Sequence, residues 1–194
     1  MAFLFYVYLC MLELNFDPFP VLETERLLLR RTVLDDAQFY FEIRSNKEAM
    51  KHICKPLQVS VEDAKALIYK INEMIAFNEG ISWAICLKSD NKFIGTVSFH
   101  RIEKEHFRAE IGYMLHPKFW KQGIISEAVE KVIDYGFSKL GLHSIEAHID
   151  PTNVGSEKVL QKFNFVKEAY FRENYFYDGK FLDTAVYSLI TPTR

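Results

Sequence analysis

Glu110–Ala128, EIGYMLHPKFWKQGIISEA, is the stretch that decides how this chain of 194 residues is read. Ile111 to Leu115 is an apolar run of strand length and strand composition. His116-Pro117 ends that strand, because proline has no N–H to give to a ladder. Gly123 then stands at the mouth of a helix whose apolar positions continue through Val129, Val132, Ile133 and Phe137. Strand, glycine turn and helix N-terminus together leave backbone N–H groups free to meet an anion. A single glycine also fits an ordinary strand-to-helix loop. Two phosphate loops are excluded: no Gly-Lys-Ser/Thr follows, as a Walker A loop requires, and Gly123 lacks the partners of a dinucleotide fingerprint.

Upstream, Leu22–Arg30, LETERLLLR, reads as a strand with flanking charges. Asp35-Asp36 is placed to cap a helix through Phe39, Phe41 and Ile43, and Ser60 to cap a second through Val61, Ala64, Leu67, Ile68, Ile71 and Ile75. Trp83–Leu87 and Phe93–Phe99 form a hairpin about Asp90-Asn91, and Phe107–Leu115 returns as the strand that feeds the glycine turn. Downstream, Gly141 stops the long helix and Ser144–Ile149 is the next strand. Asp150–Ser156 turns into a helix through Val159 and Leu160. Two strands, Lys167–Tyr177 and Phe181–Ile190, then meet at Asp178-Gly179. The order βααβββαβαββ implies an α/β fold, a mixed sheet with helices on both faces.

The run Glu110–Ala128 resembles motif A of the GNAT superfamily of N-acetyltransferases, in its RimJ/RimL-like branch. There the element Gln/Arg-x-x-Gly-x-Gly/Ala wraps the pyrophosphate of acetyl-coenzyme A. Here it is Trp120-Lys121-Gln122-Gly123-Ile124-Ile125, with Lys121 where the branch usually has glycine and Ile125 where a small residue is preferred. LETERLLLR resembles the opening strand of the same branch. DPTNVGSEKVLQKFNF, from Asp150, resembles its motif B, where asparagine and serine face the pantetheine and the thioester.

The resemblance implies the GNAT fold: a mixed, mostly antiparallel sheet of six to seven strands, splayed between its central strands, with helices on both faces. It implies acetyl-coenzyme A as co-substrate. Its arm would lie against the main chain of Tyr113, Met114 and Leu115, and its phosphates against Lys121, Gln122, Gly123, Ile124, Ile125 and Ser126. Asn153 and Ser156 would approach the thioester. Asn153 also fits a plain helix cap.

Acetyl transfer needs a neutral amine, a donor for the tetrahedral oxyanion, a proton for the leaving thiolate, and two reactants held together. Ser156 matches the family serine proposed to protonate sulfur. Glu110 matches a common family acid and could take the amine proton, directly or through water; a surface charge at a strand start is the other reading. At pH 7 a neutral lysine costs about 4 kcal/mol and a neutral α-amine about 1.4 kcal/mol. No strong base is evident, which leans toward α-amines. The branch implies N-termini of ribosomal proteins, while relatives act on small amines such as polyamines or antibiotics. A non-catalytic acyl-coenzyme A sensor is the alternative outside enzymes.

Composition sets the remaining bounds. Apolar residues make up 49% and charged residues 26%, as in ordinary soluble domains, and a net charge of −2 gives no reason to expect nucleic acid. Cys10, Cys54 and Cys86 are odd in number and lack metal-ligand spacing, which fits a reducing, cytoplasmic setting. Ala2 to Leu12 is apolar but too short to span a bilayer, and it lacks the flanks of a signal peptide. Residues 1–20 read as an N-terminal extension, with Met11 as the native start and an added edge strand or packing arm as the alternative. Residues 21–194 read as one domain. His100, His106, His116, His143 and His148 flank strands, with His116 the best placed to line an acceptor site. Tyr170, Phe171, Tyr175, Phe176 and Tyr177 read as core, with an acceptor wall or homodimer face as further uses.

Overall fold

The computed structural model describes residues 11–192. Its elements are β1 (Leu22–Glu23), β2 (Leu27–Arg30), α1 (Ala37–Arg44), α2 (Val61–Ala76), β3 (Ile81–Leu87), β4 (Phe93–Glu103), β5 (Arg108–Leu115), α3 (Ile124–Ser138), β6 (Ser144–Ile149), α4 (Val154–Lys162), β7 (Val166–Tyr177) and β8 (Lys180–Ile190). They build one eight-stranded sheet in the order β1-β2-β3-β4-β5-β6-β8-β7. Neighbours are antiparallel except β5 and β6, which run parallel. The GNAT-type sheet expected from sequence is therefore present, with one strand more than anticipated. The extra strand arises because Leu22–Arg30 is not continuous: it turns at Thr24, whose N–H donates to the Leu27 carbonyl, and pairs with itself as β1 and β2.

Side-chain alternation divides the core in two. Ile81, Trp83 and Ile85 of β3 face a cluster with Ile124, Ala128, Val129 and Val132 of α3 and Leu160 of α4. Ala84 and Cys86 face a second cluster with Tyr40 of α1 and Ala64 and Ile68 of α2. Helices thus cover both faces, and each fully buried aliphatic chain is worth about 1.5–3 kcal/mol. The Ser60 hydroxyl caps α2 by accepting from the Asp63 N–H at 3.2 Å. Asp36 does not cap α1 with its side chain. Its carboxylate instead takes a two-pronged ion pair from Arg30, 2.8 and 2.7 Å, and a bond from the Val33 N–H. A guanidinium fork outcompetes a cap for a buried carboxylate.

Leu12 and Phe16 are buried in the α3-side cluster, and the Pro20 carbonyl accepts from the Trp83 indole at 2.7 Å. The stretch following Met11 is thus packed into the core. Residues 1–10, including Cys10 and the question of the native start, lie outside the described residues. The aromatic cluster of the last hairpin is not core: Tyr170, Phe171, Tyr175 and Phe176 are exposed, because β7 is the edge strand. Asp178 and Gly179 both take positive φ, as their hairpin turn requires. No helix among the described residues is long and apolar enough to cross a membrane.

Candidate active site

The parallel pair β5–β6 is joined only at Arg108↔Ser144, Ala109↔Ile145 and Glu110↔Glu146. Beyond that rung the strands part, while β5 stays paired with β4 up to Gly95↔Leu115. The direction of β5's freed groups follows from its ladder. The His116 N–H donates to the Ile94 carbonyl, which makes that pair hydrogen-bonded, so Thr96↔Met114 is hydrogen-bonded and Val97↔Tyr113 and Gly95↔Leu115 are not. Tyr113 and Leu115 therefore turn their main chain toward the gap. Met114, expected to do the same, spends its N–H and C=O on Thr96. The Leu115 carbonyl is taken by the Trp120 indole at 2.9 Å, which leaves its N–H and both groups of Tyr113.

The glycine turn follows directly. Gly123 has φ +76° and stands at the N-cap of α3, which no side chain caps. The first main-chain bond of the helix is from the Glu127 N–H to the Gly123 carbonyl, so the amides of Ile124, Ile125 and Ser126 have no partner inside the helix. Lys121 has φ +59°, which is the reason glycine is usual at that position. The Ile124 side chain is buried in the core and Ile125 packs against it, so both offer their amides and not their side chains. The Gln122 amide donates back to the Lys118 carbonyl at 2.9 Å, which rounds the loop.

Asn153 is a helix cap: its side-chain oxygen accepts from the Ser156 N–H at 3.0 Å. Ser156 itself is buried, and its hydroxyl lies 2.8 Å from the Tyr113 phenol. Tyr113 thus contributes a side chain to this site as well as main chain. Burial pushes its phenol up to about 12, with Ser156 pulling back, so it stays protonated at neutral pH. Glu110 lies on the opposite face of β5. Burial acts to raise its carboxyl, but His100, His148 and Arg101 together hold it below its ordinary range. Arg101 is 2.8 Å and His100 3.3 Å from its two oxygens. His116 is occupied as a cap, accepting from the Lys118 N–H at 3.2 Å.

Open strands, an uncapped helix start and a serine at the gap occur together on this fold, and a model described as the acetyltransferase (GNAT) domain matches residues 26–166. The chain belongs to the GNAT acetyltransferase family. An uncharacterized N-acetyltransferase of Bacillus subtilis, YoaA, is 38% identical over 174 residues, spanning 90% of this chain and 98% of its own. The [ribosomal protein uS5]-alanine N-acetyltransferase of Escherichia coli is 26% identical over 183 residues, spanning 88% and 91%. Among solved structures, a GNAT-family acetyltransferase from Bacillus anthracis superposes with a TM-score of 0.79 at 27% identity, covering 88% and 98% of the two chains.

Two features of this GNAT acetyltransferase were not visible in sequence. One is a clasp on the glycine turn. Glu127, in the first turn of α3, accepts from the Thr24 hydroxyl and from the Arg26 N–H at 2.9 Å, and pairs with the Arg26 guanidinium at 2.6 Å. Arg26 also donates to the Gln122 carbonyl at 3.0 Å. Thr24 and Arg26 of the LETERLLLR opening therefore anchor the loop about a hundred residues away. The other is the sixth histidine, His52, whose Nδ1 lies 2.7 Å from Asp150. Only the contact across the fold distinguishes it from any surface histidine.

Proposed function

We propose that the protein transfers an acetyl group from acetyl-coenzyme A to a primary amine in a ternary complex, with the N-terminal α-amine of a peptide or protein as acceptor. The observation that carries this reading is the uncapped start of α3, reached directly from the open side of β5. Its free amides and the helix dipole favour a diphosphate, and Lys121 adds positive charge beside it, while the charge of nearby Arg26 is offset by Glu127. From there the pantetheine arm enters the gap, where the N–H and C=O of Tyr113 and the N–H of Leu115 can bond it as an added strand would.

In this reading the Leu115 N–H receives the oxyanion. Ser156, backed by Tyr113, gives a proton to the departing sulfur. Glu110, held ionised, keeps negative charge on the face from which the cationic acceptor arrives. Asn153 acts by ordering the first turn of α4 and so setting Ser156. A peptide acceptor, in the manner of the RimJ/RimL-like branch, is favoured by two groups, one at the last residue of α1 and one on the segment that joins it to α2. Arg44 Nε and Gln58 Oε1 are buried without partners among the described residues, and the two residues adjoin, Gln58 N–H to Arg44 carbonyl 3.1 Å. An unpaired donor and an unpaired acceptor on adjoining residues are the complement of a peptide's C=O and N–H. The E. coli relative that acts on a ribosomal-protein alanine supports the same choice.

The test is thiol release from acetyl-coenzyme A with three acceptors: peptides with a free N-terminus, the same peptides N-terminally blocked but carrying lysine, and a polyamine. Turnover highest on the first group is expected. Turnover on the polyamine alone would move the assignment to small amines, and tight coenzyme binding with no turnover on any amine would make the protein a sensor.

A further inference from the structure

His52 and Asp150 come from segments 98 residues apart in the chain and meet beside the gap. The Asp150 carboxylate is fully engaged: Oδ1 accepts from the Thr152 N–H and hydroxyl, both at 2.8 Å, and Oδ2 lies 2.7 Å from His52 Nδ1. Burial acts to raise this carboxyl, but those bonds hold it below its ordinary range. An ionised carboxylate has no proton to donate, so Nδ1 carries the hydrogen, and in the neutral ring the lone pair is then on Nε2. None of the hydrogen bonds among the described residues engages Nε2. The pair is only partly exposed, 21% and 32%.

Register gives its level. β5 and β6 are parallel, and their last rung is Glu110↔Glu146. Asp150 follows Glu146 by the same interval as Met114 follows Glu110, so it stands level with the Tyr113–Leu115 segment assigned to the thioester. In a parallel pair, opposed residues share a face, and alternate residues return to it. Asp150 therefore lies on the face of Glu110, the face covered by α1 and α2, and His52 comes from the segment between those helices. Tyr113 and Ser156 occupy the other face. The thioester would lie between a proton donor on one side and a lone pair on the other.

We propose that His52 is the general base for the acceptor amine and that Asp150 is its positioning residue. The proposal rests on the acetyl-transfer reading above. The acceptor enters as an ammonium and gives one proton to His52 Nε2, which later releases it to water. The neutral amine nitrogen attacks the thioester carbonyl carbon; the C–N bond forms and the C–S bond breaks. The sulfur takes a proton from the Ser156 hydroxyl, and the second proton of the intermediate's nitrogen replaces it. One amide, one thiol and one proton result, with no other reactant. The imidazole contacts Asp150 and Thr152; on its own segment Cys54 lies within electrostatic reach of Asp150 and Lys55, and Tyr170 and Asp183 of the β7–β8 ladder within reach of Asp150.

The test compares wild type with His52→Ala, His52→Gln and Asp150→Asn on the best acceptor, with exposed His106→Ala as control. A general base contributes about 10²–10⁴-fold, so both His52 variants should lose at least about 100-fold in kcat with little change in coenzyme binding. The acid limb of kcat/KM against pH should vanish, and imidazole should restore activity to His52→Ala. Asp150→Asn should lower kcat less and shift that limb. Ring-nitrogen NMR of the wild type, which needs no turnover and no variant that folds, should show the Nδ1–H tautomer of His52. The opposite tautomer, or His52 variants as active as wild type with the same pH profile, would overturn the proposal. A wild type inactive on every amine would sink the acetyl-transfer reading instead, leaving the tautomer result to judge the dyad.

Discussion

The phenol oxygen of Tyr113 lies 2.8 Å from the hydroxyl of Ser156, joining the open part of β5 to the first turn of α4. The bond makes Tyr113 a partner in orienting the proposed proton donor. A neutral hydrogen bond is worth about 0.5–1.5 kcal/mol net, and each 1.36 kcal/mol is tenfold in rate. Tyr113→Phe is therefore expected to lower kcat by up to about tenfold, with KM for acetyl-coenzyme A within about twofold, in steady-state assays. Ser156→Ala leaves a buried phenol without its better partner and should destabilise by about 1–3 kcal/mol in thermal melts. A Ser156→Ala variant that melts like wild type would contradict this pairing.

Lys121 separates strain from charge. A side chain in the left-handed region costs roughly 1–2 kcal/mol, and glycine returns part of that gain through its greater unfolded-state freedom. Lys121→Gly should raise stability by up to about 1 kcal/mol in denaturant titrations while weakening coenzyme A binding by calorimetry. Lys121→Met should weaken binding to a similar degree with no gain in stability. A lysine that contributes no charge at the phosphates would leave both affinities unchanged.

Gly123→Asp tests the loop itself. A Cβ there would meet only Arg26 Nη2 at 3.5 Å, so space is available and the penalty is its φ of +76°. Strain of about 1–3 kcal/mol is expected, together with repulsion between the new carboxylate and the pyrophosphate. Coenzyme A affinity should fall at least about tenfold, the equivalent of 1.4 kcal/mol. Unchanged affinity by calorimetry would remove the phosphates from this turn.

The clasp at Glu127 predicts a pH effect. Burial acts to raise its carboxyl, but bonds from Thr24 and Arg26 hold it below its ordinary 4.5. A carboxyl depressed by folding stabilises fully above the unfolded value and loses that contribution as pH falls through the folded one. Melts at pH 7 and pH 4 should show a smaller loss for Glu127→Gln than for wild type. An identical pH dependence would mean that the clasp is not formed in solution.

Gly95 tests the close approach of β4 to β5. A Cβ at this position would lie 2.3 Å from the Met114 carbonyl oxygen and 3.0 Å from the Leu115 Cα, both backbone atoms that cannot move aside. Gly95→Ala should destabilise by about 1–3 kcal/mol and displace Leu115, the proposed oxyanion donor. A fully stable variant would require β5 to shift toward β6 and narrow the gap, a change visible in a crystal structure.

Much of this molecule is legible in its sequence, because the signals are local. The run Ile111–Leu115, the break at His116-Pro117, Gly123 and the spacing of Val129 and Val132 define strand, turn and helix within one short stretch, and each depends on neighbours a few positions away. Asp178-Gly179 sets its hairpin in the same way. Pairing partners are not local. Nothing near Glu127 indicates that it holds Thr24 and Arg26, nothing near Tyr113 points to Ser156, and His52 acquires meaning only from Asp150, 98 residues on. Apart from the split of Leu22–Arg30 into two strands, the sequence alone determined the order of the elements and the turn that suits an anion, since backbone preferences and periodicity act over one or two turns of chain. Which side chains meet across the gap, which main-chain groups of β5 are left open, and that Met114 faces β4 were decided by strand register and helix docking, which exist only once distant segments have packed.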